Sequence, residues 1–137
     1  MQIAFDDTLF TGNEMIDTQH KELIARVNKL AEQCGGASEM NVAVRTLDFL
    51  MDYTDFHFSA EEKLQEEYQY PRLEEHKKLH AHFVKSVDEL REMLEEEEGP
   101  SEAFSAAVER NIVDWLVNHI QICDKDVAQY VRDHSAK

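Results

Sequence analysis

Apolar residues recur along the chain at intervals of three and four, which is the period of one face of an α-helix. Four stripes of this kind are separated by three short breaks. Their members are, in order, Ile16, His20, Leu23, Val27, Leu30 and Cys34; Met40, Val44, Leu47, Met51, Thr54, His57, Glu61, Leu64 and Tyr68; Leu73, His76, His80, Phe83, Val87, Leu90 and Leu94; and Phe104, Val108, Ile112, Trp115, His119, Ile122, Val127 and Tyr130. The pattern predicts four amphipathic helices around a shared core.

Each break contains residues that end or begin helices. They are Gly35-Gly36 followed by Ser38, Tyr70-Pro71, and Gly99-Pro100 followed by Ser101. Because short connections join long helices, neighbouring helices should be antiparallel. The sequence therefore predicts an all-α protein, an up-down-up-down four-helix bundle. We expect one domain over residues 1–137, with residues 1–12 as an extended segment that packs on the bundle.

Composition agrees with a helical chain and limits its partners. Only 4 Gly and 2 Pro occur among 137 residues. The formal charge of −15 argues against nucleic acid and anionic membranes as partners, because both would repel an acidic surface. No stretch approaches the roughly eighteen apolar residues of a membrane span, the N-terminus lacks a signal-peptide pattern, and Cys34 and Cys123 form no disulfide framework. We therefore expect a soluble, cytoplasmic protein.

Seven polar residues with metal-binding chemistry interrupt the apolar stripes. They are His20, His57, Glu61, His76, His80, His119 and Asp124. A lone histidine on an apolar stripe is usually a hydrogen-bonded core residue, but here that interpretation must hold for seven residues on four helices together. Each buried polar group left unsatisfied would cost roughly 1–3 kcal/mol in a domain stable by only about 5–15 kcal/mol. Cations satisfy neutral imidazoles and ionised carboxylates at once, so the pattern predicts a buried two-metal site.

The spacing within the clusters supports this interpretation. The pairs on the second and third helices are spaced i,i+4, which places both side chains on one helical face. His119 and Asp124 are spaced i,i+5, about 140° apart on an ideal helix, so a widened turn such as a π-bulge is expected between them. His82 falls on the outward face and His134 in the C-terminal tail, so neither belongs to the site.

At family spacing, these residues resemble the hemerythrins, in particular the single-domain bacteriohemerythrins. The resemblance rests on Gly12, Ile16-Asp17-Thr18-Gln19-His20, His57-Phe58-Ser59-Ala60-Glu61-Glu62, Tyr70-Pro71 with His76 and His80, and Trp115-Leu116-Val117-Asn118-His119-Ile120 with Asp124. The chain departs from the family at Phe5, where a tryptophan is usual, and at Leu64, where a methionine is common. The resemblance implies that one iron is held by His76, His80 and His119, the other by His20 and His57, with Glu61, Asp124 and an oxo or hydroxo group as bridges.

With those bridges, the three-histidine iron has six ligands and the two-histidine iron five, which leaves one position open. The resemblance implies that dioxygen binds there reversibly, for transport, storage or delivery, and that the protein is not an enzyme. A pocket that excludes water could be formed by Leu23, Ile24, Phe58, Trp115 and Leu116. Dioxygen is the expected ligand, and a dioxygen-consuming enzyme or a reductase is a candidate partner.

Other functions remain open from the sequence. Ferritin-like di-iron proteins are also four-helix bundles, but they use Glu-x-x-His pairs, and the chain contains none. A dioxygen or iron sensor or buffer, and a di-iron protein that handles peroxide or nitric oxide, would use the same ligands. Turnover with a reductant would identify the last of these.

Overall fold

The computed structural model of the protein describes residues 3–34, 40–97 and 101–135. Helix α1 spans Glu14–Cys34, α2 spans Met40–Glu67 and α3 spans Leu73–Glu97. The fourth helix, α4, runs without a break from residue 102 to 135. Its consecutive segments are Glu102–Val108, the π-helical Glu109–Asp114, Trp115–His119, the π-helical Ile120–Asp124, and Lys125–Ser135. The described ranges contain no strand. The predicted all-α, antiparallel four-helix bundle is confirmed.

Local chemistry at the described helix ends follows the sequence signals. Ser101 is the N-cap of α4, and its Oγ accepts a hydrogen bond from the backbone N–H of Phe104 at 3.1 Å. Between α2 and α3, the chain turns through Gln69, whose φ of 54° is left-handed. Pro71 lies in this turn and α3 begins two residues later, at Leu73. The predicted signals at Gly35-Gly36, Ser38 and Gly99-Pro100 lie outside the described residues.

The N-terminal segment is anchored to α1 by hydrogen bonds and by apolar contact. Ile3 and Asn28 exchange two bonds: the Ile3 N–H donates to Asn28 Oδ1 at 2.7 Å, and Asn28 Nδ2 donates to the Ile3 carbonyl at 2.8 Å. Asp17 accepts bonds from the N–H and the hydroxyl of Thr11 at 2.9 and 2.7 Å. Leu9 is buried in the main core. These contacts hold the described part of the segment, from Ile3 onward, against α1 and the core.

The buried face of α2 differs in phase from the predicted stripe. Leu50 and Gln65 are fully buried, whereas Met51 and Leu64, which were predicted to face the core, are only partly buried. The predicted stripe follows a spacing of about 3.5 residues per turn. A straight α-helix drifts by roughly 20° per heptad from that spacing, and α2 has 28 residues. This drift explains why Leu50 is buried instead of Met51, and Gln65 instead of Leu64.

The prediction that Ile122 faces the core is wrong. Its side chain is 68% exposed, and Ile120 is fully buried instead. Both lie in the π-helical segment Ile120–Asp124. A π turn takes one residue more than an α turn and so rotates the residues that follow. The widened turn that was predicted for the site therefore also moves the apolar stripe.

No described helix is long and apolar enough to cross a membrane.

Candidate metal centre

The bundle brings all seven predicted ligands together in its interior. Two sets of side chains each place one ligand atom per residue within 4.8 Å of the others. One set is Glu61, His76, His80, His119 and Asp124, and the other is His20, His57, Glu61 and Asp124. None of the seven side chains is more than 5% exposed. Glu61 and Asp124 belong to both sets, so they lie where two neighbouring cations could share them.

The hydrogen bonding of His80 shows why this cluster fits a cation. Its Nδ1 lies 2.8 Å from Glu62 Oε2, and a carboxylate can only accept, so Nδ1 carries the proton. In a neutral ring, Nε2 then presents a lone pair to Glu61 Oε1, 3.1 Å away. Neither Nε2 nor Oε1 has a hydrogen-bond partner among the residues that the structure describes. Two buried acceptors at this distance repel each other unless a cation lies beside both.

The carboxylates raise the proton affinity of two histidine rings close to them. His76 Nε2 lies 3.0 Å from His119 Nε2, and both lie close to Asp124 Oδ1, at 3.1 and 3.2 Å. Burial lowers the pKa of His76, but the neighbouring carboxylates of Asp124 and Glu61 outweigh burial and raise the pKa to about 9. Burial also lowers the pKa of His119, but the negative charge of Asp124 outweighs burial and raises the pKa to about 10. Metal binding must therefore displace protons from these rings.

The carboxylates respond in the opposite direction. Burial would raise the pKa of Asp124, but the charge of His119 and its hydrogen bond hold the pKa well below its usual range. Burial and the charge of Asp124 also oppose ionisation of Glu61, while the close approach of the His76 and His80 rings lowers its pKa. Both groups are thus buried anions that require positive partners.

In the second set, the pKa of His57 is lowered, whereas those of His76 and His119 in the first set are raised. His57 Nδ1 lies 2.8 Å from Gln19 Oε1, which leaves Nε2 as the ring's ligand atom. Burial lowers the pKa of His57 to about 4, so the ring is neutral at neutral pH. His20 is fully buried, and its Nε2 lies 2.8 Å from Asp124 Oδ2 but outside hydrogen-bond alignment. A neutral imidazole such as that of His57 is a ready metal ligand.

The π-helical segment explains how Asp124 reaches the site. His119 is the residue before Ile120–Asp124, and Asp124 is the last residue of that segment. The additional residue per turn compensates for the i,i+5 spacing, which would separate the two side chains on an ideal helix. The predicted widened turn is therefore confirmed, and both side chains point into the same cluster.

The five predicted pocket residues divide into two groups. Phe58 stacks on the His80 ring at 3.7 Å between centroids, with 1° between the planes, and Trp115 stacks on His119 at 4.5 Å and 11°. These two aromatic rings hold imidazoles of the three-histidine set in orientation. The other three residues are 0–4% exposed and pack in the main core cluster. They are Leu23, Ile24 and Leu116.

Both histidines predicted to lie outside the site do so. His82 is exposed on α3. His134 is also exposed, but it lies in the last turn of α4 rather than in a tail, because that helix extends to Ser135. Its ring stacks on Tyr130 at 4.0 Å between centroids.

Sequence reasoning assigned no role to three polar residues at the site. Gln19 and Glu62 adjoin the predicted ligands His20 and Glu61 in sequence, and each contacts the imidazole of a predicted ligand on another helix. Their sequence signal is a polar residue next to a predicted ligand, within the motifs that carry the family resemblance. Gln65, one turn after Glu61, is fully buried, and its side-chain amide has no hydrogen-bond partner within the described ranges.

Comparison with known proteins finds one family. The family model described as the hemerythrin HHE cation binding domain matches residues 11–131. The chain is 35% identical over 133 residues to a bacteriohemerythrin of Stenotrophomonas maltophilia (strain R551-3), covering 96% of this chain and 83% of that protein. A myohemerythrin of Theromyzon tessulatum is 29% identical over 120 residues, covering 88% and 86%. A crystal structure of wild-type hemerythrin has a TM-score of 0.80 at 27% identity, covering 96% and 98%.

Proposed function

The chain belongs to the hemerythrin family, and on that premise we propose that it binds dioxygen reversibly, for transport, storage or delivery. The family consists of non-haem di-iron proteins that bind oxygen and are not classical enzymes. The observation that carries the proposal is the sharing of Glu61 and Asp124 by both ligand sets. Two shared carboxylates are what a pair of neighbouring iron ions requires as bridges.

The proposed ligands follow from the two sets. One iron would be held by His76, His80 and His119, the other by His20 and His57, and both by Glu61, Asp124 and an oxo or hydroxo bridge. When bound, the iron pair would supply the electrons and the open coordination position that dioxygen needs. Five imidazoles and two carboxylates keep the buried net charge low, which a core of low dielectric tolerates.

The protein's own part is to hold these groups still and keep water out. Phe58 and Trp115 fix two imidazole planes by stacking. Leu23, Ile24 and Leu116 supply buried apolar bulk, which supports their proposed role as the wall of the dioxygen pocket. Exclusion of water and protons favours release of dioxygen unchanged over oxidation of the site.

The first prediction tests this function directly. Reduced, iron-loaded protein should contain two irons per chain and take up about one dioxygen per iron pair. Its optical spectrum should change in air and return when oxygen is removed. A single iron per chain, or a spectrum that changes only irreversibly, would contradict the proposal. Steady turnover of peroxide or nitric oxide with a reductant would instead indicate an enzyme.

The proposed setting is the cytoplasm, with dioxygen as the small-molecule ligand and a dioxygen-consuming enzyme or a reductase as partner. The charge of −15 supports the exclusion of nucleic acid and anionic membranes as partners. Cell fractionation with detection of the protein tests the setting, and its recovery with membranes would contradict it.

A second prediction concerns Leu116, which is 1% exposed. Leu116→Ala should lower the free energy of unfolding by roughly 2–5 kcal/mol, as loss of a buried leucine usually does. If Leu116 also shields the pocket, water should enter and the reduced protein should oxidise faster in air, with its iron content unchanged. The oxidation rate is followed optically at fixed dioxygen concentration.

Leu90→Ala is the matched control, because Leu90 is equally buried and lies in the same core cluster. It should lose similar stability without faster oxidation. If both variants oxidise at the wild-type rate, Leu116 is a core residue only and the shielding belongs to other residues of the proposed pocket.

A further inference from the structure

The two ends of the metal centre have different hydrogen-bond partners behind their histidines. His80 Nδ1 lies 2.8 Å from a carboxylate oxygen of Glu62, and His57 Nδ1 lies 2.8 Å from the side-chain amide oxygen of Gln19. Both rings are buried, at 2% and 1% exposure. The two bonds have the same length and use the same ring nitrogen. They differ in the charge of the acceptor.

The charge of the acceptor changes how strongly each imidazole can bind a metal ion through Nε2. A carboxylate draws the Nδ1 proton towards itself more strongly than a neutral amide does, because a hydrogen bond to an ionised acceptor is roughly twice as strong. The electron density left on the ring makes Nε2 a stronger donor to a metal ion. Such a donor stabilises the more highly charged, ferric ion over the ferrous ion.

The surroundings of Glu62 leave its carboxylate free for this bond. Its side chain is 26% exposed and lines a cleft of about 360 Å³ on the surface between α2 and α3. Lys77 lines the same cleft, but its ammonium group pairs with Glu66 at 3.7 Å. Solvent in the cleft screens the carboxylate in part, so we expect a moderate effect.

We propose that Glu62 and Gln19 are positioning residues that make the two irons unequal. Glu62 stabilises the ferric ion at the three-histidine end, and Gln19 leaves the two-histidine end with a weaker donor. The inference rests on the proposed function, since it presupposes an iron pair held by these ligands. It adds a determinant of reduction potential that lies outside the ligand set.

The test compares three single substitutions by spectroelectrochemical titration of the iron-loaded protein. Glu62→Gln keeps an acceptor oxygen but removes the charge, and should shift the ferric–ferrous equilibrium about tenfold towards ferrous, which is about 59 mV for one electron. Gln19→Glu adds a charge behind His57 and should shift the potential in the opposite direction. Glu67→Gln is the control, because it removes the same charge from the same helix at an exposed side chain that does not line the cleft.

A second measurement does not depend on redox chemistry. The metal-free variants are titrated with Co²⁺, whose binding also uses the Nε2 atoms. Glu62→Gln should weaken binding about 10- to 100-fold, the usual cost of losing a partner behind a metal ligand. Glu67→Gln should bind like wild type. If Glu62→Gln does not retain metal, Gln19→Glu still tests the asymmetry from the other end.

The outcomes separate this inference from the proposed function. Equal shifts in Glu62→Gln and Glu67→Gln would reduce the effect to net charge and overturn the inference. It would also be overturned if neither Glu62→Gln nor Gln19→Glu shifted the potential. If dioxygen uptake is reversible while the potentials do not change, only the inference fails. If the potentials shift as expected but wild type takes up no dioxygen, only the proposed function fails.

Discussion

Loading iron into the metal-free protein is expected to raise its free energy of unfolding by about 4 kcal/mol or more when free metal is about a thousand times its dissociation constant. Glu61 and Asp124 are buried carboxylates, and within the described ranges several site atoms, including both oxygens of Glu61, have no hydrogen-bond partner. Metal satisfies these groups only in the folded state. Denaturant unfolding with and without ferrous iron, under anaerobic conditions, measures the difference.

The increase in the free energy of unfolding on metal binding should become larger as pH rises. In the metal-free protein, the pKa values of His76 and His119 are raised from 6.5 to about 9 and about 10. Their protons therefore stabilise the fold fully below pH 6.5, and this stabilisation is lost as pH rises through 9 to 10. His57, with a pKa of about 4, stays neutral across that window. Metal should accordingly stabilise the protein more at pH 9.5 than at pH 6.5.

Equal melting temperatures for the metal-free and iron-loaded protein would show that the seven side chains do not depend on metal. A gain that shrinks as pH rises would show that protons do not substitute for metal at His76 and His119. The short distances from His76 Nε2 to His119 Nε2 and Asp124 Oδ1 indicate that these atoms need a shared proton or metal ion. Either result would contradict that interpretation.

The helices and the convergence of the ligands could be predicted because both depend on local periodicity. The stripe of α3, from His76 to Leu94, is buried at each predicted position after Leu73. The i,i+4 pairs then needed only the helical period to share a face. The widened turn before Asp124 could be predicted because two functional residues lay out of phase with each other.

The π-helical segment Glu109–Asp114 gives no such signal, because no pair of functional residues spans it to reveal a mismatch. The bonds from Gln19 to His57 and from Glu62 to His80 join residues 38 and 18 positions apart. Such contacts depend on how helices are rotated against each other. Sequence spacing within one helix carries no information on that rotation, so these residues could not be assigned a role.

His76→Ala should empty the three-histidine end of the centre, with a loss of metal affinity beyond the roughly 10- to 100-fold that an outer partner costs. The His76 ring nitrogen lies 3.0–3.2 Å from His119 Nε2, Asp124 Oδ1 and Glu61 Oε1, so its removal leaves those atoms without their common partner. His82→Ala is the control, since His82 is exposed on the same helix. Iron per chain, measured by metal analysis with the optical spectrum, should fall in the first variant and stay at the wild-type value in the second. Retention of two irons by His76→Ala would remove His76 from the ligand set, and loss of iron from His82→Ala would show that α3 presents a different face to the metal.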